Sequence, residues 1–292
     1  MFKDIFKYEL KYSFGIVSTH IFFGVMFLLA FLATIGAGGT FSGVNISFGG
    51  ATSAKIFVNS PYYMHQLMSI LAYVGIIFVA AIAARIINRD YEFGTNQWFY
   101  SLPLKKSGFV FGRFLAGLIV ILYIFSAAPI GMYLGSVMPF VNPDRFCTNE
   151  LINYLYPFLT SVLPYSVMIL SLLLGLSLYF KNTLSLMIGT IILLMAYPII
   201  INMPIGLDAR YWVAVFDPVS LYTLDYFTKY LTIAEKNGEL IPVAGVYLYN
   251  RLFVLGLSAA LFSFAYRKFD FGLIQNRSKL KPEAPSPSLK QN

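Results

Sequence analysis

Long apolar runs alternate with short polar ones along most of the chain. Six runs are long enough to cross a bilayer as helices, which takes roughly 20 mainly apolar residues. They lie at Phe14–Ala37, Gln66–Ile87, Gly112–Met138, Tyr154–Phe180, Thr183–Met203 and Val246–Tyr266. All are longer than a barrel strand and none alternates with period two, so the pattern predicts an all-α membrane protein. Pro129, Pro157, Pro164 and Pro198 fall inside these runs or near their ends. Membrane helices tolerate proline because neighbouring groups satisfy the freed carbonyls.

The leader MFKDIFKYELKYSF has its own periodicity. Phe2, Ile5, Phe6 and Leu10 share one helical face, and Lys3, Asp4, Lys7 and Lys11 occupy the opposite arc. That is the pattern of a helix lying in the membrane interface. Glu9 falls amid the apolar arc. A carboxylate buried alone is costly. Glu9 therefore either turns back to water or pairs with Arg85, Arg89 or Arg113, at the ends of the second and third runs. The first run exceeds the 7–15 residues of a signal-peptide core, so it is expected to stay as a span.

Between the second and third runs stands NRDYEFGTNQWFYSLPLKKSGFVFGR. Thr95 or Asn96 can cap a short helix holding Trp98, Phe99 and Leu102. Pro103 stops it, because the residue before proline is pushed out of the α region. Ser107 can cap the helix that continues into the third run. Trp98 and Leu102, at i and i+4, project from one face, and Lys105 and Lys106 follow at once. Two readings fit this pattern: an aromatic anchor with a cationic collar for a protein partner, or aromatics resting among lipid headgroups.

The connection from Met203 to Val246 is too long for a bare link. Asp217 as cap, Pro218 at the first helical position, Phe216 and Leu221 as staple and Asn237-Gly238 as stop predict one external amphipathic helix. Leu221, Leu224, Tyr230, Leu231 and Ala234 would form its apolar face, on the outer membrane surface or over the mouth of a dimer. Gly38–His65 reads as a flexible outer loop. Residues 277–292 are too polar and proline-rich to fold, which leaves 1–276 as one membrane domain.

Composition agrees with the pattern. The 292 residues are 58% hydrophobic and 12% charged, with mean hydropathy +0.70. Soluble domains carry about 25% charged residues. Of the 21 lysines and arginines, 15 fall on one side of the six runs: Lys3, Lys7, Lys11, Arg85, Arg89, Lys105, Lys106, Arg113, Lys181, Arg267, Lys268, Arg277, Lys279, Lys281 and Lys290. That side is expected to be cytoplasmic and to hold both termini. The net charge of +8 is then a topology signal. No clustered basic face suggests nucleic-acid binding. GxxxxGK[ST], HExxH and GxSxG are all missing, and the only histidines are His20 and His65. The single cysteine, Cys147, reads as an incidental thiol. The span centres hold no acid or base that would mark an ion pathway. No enzyme activity and no cofactor are expected.

Several of these segments, taken in order, resemble type-2 permeases of ATP-binding-cassette transporters. E-F-G-T, S-L-P-L-K-K and F-G-R between residues 92 and 113 are similar to their cytoplasmic loop, and F-K-Y-E-L-K-Y to their N-terminal interfacial helix. D-P-V-S from Asp217, T-K-Y-L-T from Thr228, E-K-N from Glu235 and Y-N-R-L-F from Tyr249 resemble one branch, whose members are fused to or encoded with a zinc aminopeptidase. Val219 and Ser220 stand where that pattern carries Phe-Gly, and Leu231 replaces an aromatic. The peptidase and a second six-span half are missing from the sequence, so peptidase activity is not implied. The resemblance implies a six-helix permease half with an interfacial helix and a cytoplasmic coupling helix. Thr95, Trp98, Phe99, Leu102, Lys105 and Lys106 would dock a separate ATPase subunit. It further implies a homodimer or sister half, lipid contacts, a multi-pass place in the cell inner membrane, and export or movement of a substrate. The alternative is a non-transporting membrane subunit that anchors or mechanically drives an extracytoplasmic enzyme such as a peptidase.

Overall fold

The computed structural model describes residues 2–40, 56–92, 105–180, 182–203 and 206–269. Every regular element among them is helical. Five helices are long and apolar enough to cross a membrane: α2 (Val17–Ala37), α5 (Lys106–Ser136), the run Ile152–Tyr179, α8 (Thr183–Ile201) and α12 (Gly245–Lys268). A sixth crossing exists if the bent pair α3 (Pro61–Val74) and α4 (Ile76–Glu92) counts as one span. The chain is a multi-pass membrane protein.

The bend in that pair measures 44° and has a visible cause. Gly75 separates the two helices, and the ring of Phe125 fills the notch it leaves: a Cβ there would come within 2.2 Å of that ring. Helix kinks at glycine are common. The second span also begins earlier than its apolar run. Ser60 caps α3 by accepting a hydrogen bond from the Tyr63 amide at 3.3 Å, and Pro61 occupies the first helical turn. The expected loop to His65 therefore ends at Ser60, and His65 and Gln66 are buried helical residues.

The third span starts at Lys106 with Lys105 as its cap residue. Ser107 lies inside the helix rather than capping it. With 31 residues, α5 is about 46 Å long at 1.5 Å per residue, more than the roughly 30 Å hydrocarbon core, so it tilts or projects. The fourth span accommodates its prolines by widening. Between α6 (Ile152–Pro157) and α7 (Leu163–Phe180) the segment Phe158–Val162 is a single π turn, and Thr160 Oγ1 donates to the Tyr156 carbonyl at 2.8 Å.

The tightest crossing pairs α2 with α5. Gly131 and Gly135, four residues apart on α5, meet Ala30 and Thr34 of α2. A Cβ on Gly131 would stand 2.6 Å from the Phe27 carbonyl oxygen. Small residues at this spacing let membrane helices approach closely, where dispersion replaces the missing hydrophobic drive.

The outer connection is not one amphipathic helix. It folds as α9 (Leu207–Phe216), α10 (Leu221–Thr228) and α11 (Ile233–Gly238). The expected apolar face is divided. Leu224 is buried with Tyr62, Ile241 and Tyr247, while Tyr230 and Ala234 are exposed. A capping box between Thr232 and Glu235 starts α11, and the Asn237 side chain accepts from the Phe57 amide at 2.9 Å. These helices pack on the bundle's own end, where Leu224, Ala214 and Val215 are buried, while Trp212 and Phe216 remain half-exposed.

Candidate functional site

At one end of the bundle, α1 (Phe2–Gly15) lies against the start of α5. Gly112 permits the approach: a Cβ at that position would sit 3.2 Å from Ile5. The same contact face carries Glu9, which is 3% exposed. Its Oε1 lies 2.9 Å from Arg89 Nη2 and 3.1 Å from Arg113 Nε. Arg113 Nη1 also donates to the Ile86 carbonyl at 2.8 Å. Each guanidinium rests on an aromatic face, Arg89 over Tyr12 at 4.3 Å and Arg113 over Phe109 at 4.2 Å. A carboxylate in apolar surroundings is tolerated only when paired and hydrogen-bonded. Here one carboxylate binds three helices, α1, α4 and α5.

Arg85 does not join this cluster. Its Nη1 donates instead to the hydroxyls of Thr19 at 3.2 Å and Ser18 at 3.5 Å. Among the expected docking residues, Thr95, Trp98, Phe99 and Leu102 lie outside the described residues. Lys105 is exposed at the cap of α5. Lys106 reaches across to α12, with Nζ 4.8 Å above the Tyr266 ring and 3.5 Å from the Arg267 carbonyl oxygen. It thus fastens the start of the third span to the end of the last.

The opposite end holds a buried polar network with no counterpart among the site residues expected from the sequence. Asn250 of α12 donates to the carbonyls of Ala214 at 3.1 Å, Val215 at 3.0 Å and Asp217 at 2.7 Å. Arg251 beside it donates to the Thr160 carbonyl at 3.1 Å and to the Ser220 hydroxyl. Asp217 accepts from Tyr197 at 2.9 Å and from the amides of Val219 and Thr223 at 3.0 and 3.1 Å. Burial pushes the Asp217 carboxyl above the usual carboxylate range, against the pull of these donors. Nearby, His65 Nε2 meets Ser161 Oγ at 2.8 Å and Tyr247 OH at 2.9 Å. Ser161 and His65 are each 1% exposed, so their contact is a packed polar joint and not an accessible nucleophile and base.

The chain matches no protein-family model and no curated protein.

Two stretches quoted above, D-P-V-S and Y-N-R-L-F, thus meet in space: Asn250 holds the Asp217 carbonyl and Arg251 holds Ser220. Ser220 has φ of +76°, the left-handed region that favours glycine. Asp217 caps from a distance. It closes α9 and reaches forward to amides at the start of α10, so the anticipated cap is real in chemistry but displaced in position. The missed signal was Arg251, an arginine inside an otherwise apolar run, which calls for a named partner. Among the described residues no group of three or more His, Cys, Asp or Glu could hold a metal ion. Cys147 donates weakly to Asn59 Oδ1 at 3.3 Å, and burial pushes its thiol pKa up, which lowers its reactivity.

Proposed function

We propose that the chain is the membrane-spanning permease subunit of an ATP-driven type-2 ABC transporter. It works in the cell inner membrane with both termini cytoplasmic, and couples a separate ATPase subunit to export or movement of a substrate. Six apolar crossings, with the bent pair counted as one, and the order of the motifs described above support this reading. A single half cannot enclose a central path, so a second copy or a sister half completes it.

One observation carries the proposal. Arg89 and Arg113 stand on either side of the proposed docking region, Phe93 to Lys106, and both converge on Glu9. A push on that segment reaches the ends of α4 and α5 together and passes through Glu9 to the interfacial helix. Lys106 carries it to the end of α12. The helices that flank the docking segment, α4 and α5, are thus tied to each other and to α1 through Glu9.

The test is Trp98→Ala. A buried aromatic anchor typically costs 2 kcal/mol or more on truncation, roughly a thirtyfold loss of affinity. Trp98→Ala should weaken ATPase binding by about thirtyfold and lower its coupled turnover while membrane insertion stays normal. Lys105→Ala with Lys106→Ala should give a milder, salt-dependent defect. Unchanged co-purification and turnover in Trp98→Ala would return that side chain to the lipid headgroups and leave the ATPase partner resting on the motif resemblance alone.

A further inference from the structure

A cavity of about 220 Å³ opens beside the Glu9 cluster, between α1, the start of α2, the end of α4 and the start of α8. Two cations line it, Arg85 and Arg89. Arg89 is shared with Glu9. Arg85 has no carboxylate partner among the described residues, and its guanidinium donates only to the hydroxyls of Ser18 and Thr19. A half-buried cation satisfied by neutral groups keeps much of its desolvation cost. One uncapped helix amino terminus reaches the same cavity. Ser18 is the second residue of α2, whose first turn receives no side-chain cap, and it adds partial positive charge. Thr183 of α8 lines the cavity too, but that helix start is capped by Asn182, whose side chain accepts from the Leu184 amide at 2.9 Å. Two guanidiniums, the Ser18 hydroxyl and the start of α2 around one opening form a receptor for a phosphate-like anion.

The rest of the cavity decides which anion. Phe22, Ala81 and Met187 make its apolar wall. Its rim is α8, whose Leu184 is 67% and Ile188 51% exposed, the outward face of a helix that the bundle hardly covers. A ligand there has an anionic head and an apolar body. We propose that this cavity binds the headgroup phosphate of an anionic phospholipid from the leaflet around α1. The phosphate sits against Arg85, Ser18 and the start of α2, and the acyl chains run along α8. The bound lipid ties the interfacial helix to the first, second and fifth spans.

The experiment uses the full chain purified in detergent, with lipid occupancy read by native mass spectrometry. Phosphatidylglycerol should bind at least about fivefold more tightly than phosphatidylcholine, since one cation near an anionic lipid is worth about that factor. Arg85→Gln should lose about fivefold for phosphatidylglycerol only, and Arg85→Lys should keep most of the affinity. Lys7→Gln removes an exposed charge from α1 without touching the cavity and should change nothing. Ala81→Leu fills the wall with every charge kept. It should reproduce the loss, which guards against misfolding of the Arg85 variants. Millimolar inorganic phosphate should not displace the lipid. Equal affinity for the two lipids, equal losses in Lys7→Gln and Arg85→Gln, or displacement by inorganic phosphate would each overturn the proposal.

Discussion

Single side chains settle local geometry here through unusual partners, and Ser220 is the clearest case. A left-handed conformation costs an L-residue roughly 1–2 kcal/mol. Ser220 holds it while accepting a hydrogen bond from Arg251, and losing an acceptor for a buried charged donor costs about 1–3 kcal/mol. The two terms can be separated. Ser220→Gly removes the strain and the acceptor together, so its stability should lie close to the parent's. Ser220→Ala keeps the strain and loses the acceptor, so it should be the least stable, by at least about 1 kcal/mol relative to Gly. Thermal unfolding in detergent ranks the three. A Gly variant no more stable than the Ala variant would contradict the backbone reading. From sequence, Glu9 was legible as a residue needing a partner or water, because a polar group in an apolar pattern carries its own cost, and Asp217 was legible as a helix cap. Arg85, Arg89 and Arg113 were equivalent candidates for Glu9. Only the positions of α1 and α4 separate Arg85, which turns to hydroxyls on α2, from the two that pair.

At the scale of elements, α1 has a mostly exposed polar arc and depends on a few contacts for its place. Ile5 over Gly112 and Glu9 between two guanidiniums are the chief ones. Glu9→Gln leaves two buried cations facing each other without a counter-charge. Breaking a buried pair in this way costs about 3–5 kcal/mol. The variant should lose stability by that order and release α1, seen as faster hydrogen exchange through residues 2–15. Arg89→Gln should do less, because Arg113 still pairs with Glu9. Equal exchange in Glu9→Gln and the parent would mean that α1 is held by its apolar contacts alone. Helix type was readable for every span, because a long apolar run in a membrane has few alternatives. Helix starts were less so. Ser60-Pro61 is a sound start signal, yet it sits outside the apolar run that defined the span. The outer connection misled for the opposite reason. Its apolar residues suggested a surface helix, whereas Leu224 has its partners in α3 and α12, far away in sequence.

For the whole molecule, the distribution of lysine and arginine sets the expected orientation, and the chain carries its own probe. Cys147, the one cysteine, lies in the connection between α5 and α6. In the proposed orientation it faces outward. A membrane-impermeant maleimide should label it in right-side-out vesicles, more slowly than an exposed thiol and faster as the pH rises, because its pKa is raised. Labelling only after permeabilisation would reverse the orientation and, with it, the cytoplasmic place of residues 93–104.

The sequence by itself determined that this is a multi-pass helical membrane protein and that Glu9 needs a partner or an exit to water. Those properties follow from transfer free energies, which depend on local composition and period. Tertiary structure alone decided which arginines pair with Glu9, that α2 and α5 meet through Gly131 and Gly135, and that Asn250 and Arg251 brace the outer helices from the last span. It also decided that Arg85 faces a cavity at the start of α2. Each of these depends on which of several chemically equivalent groups comes within about 3 Å, and that distance is set by packing between segments far apart in the chain.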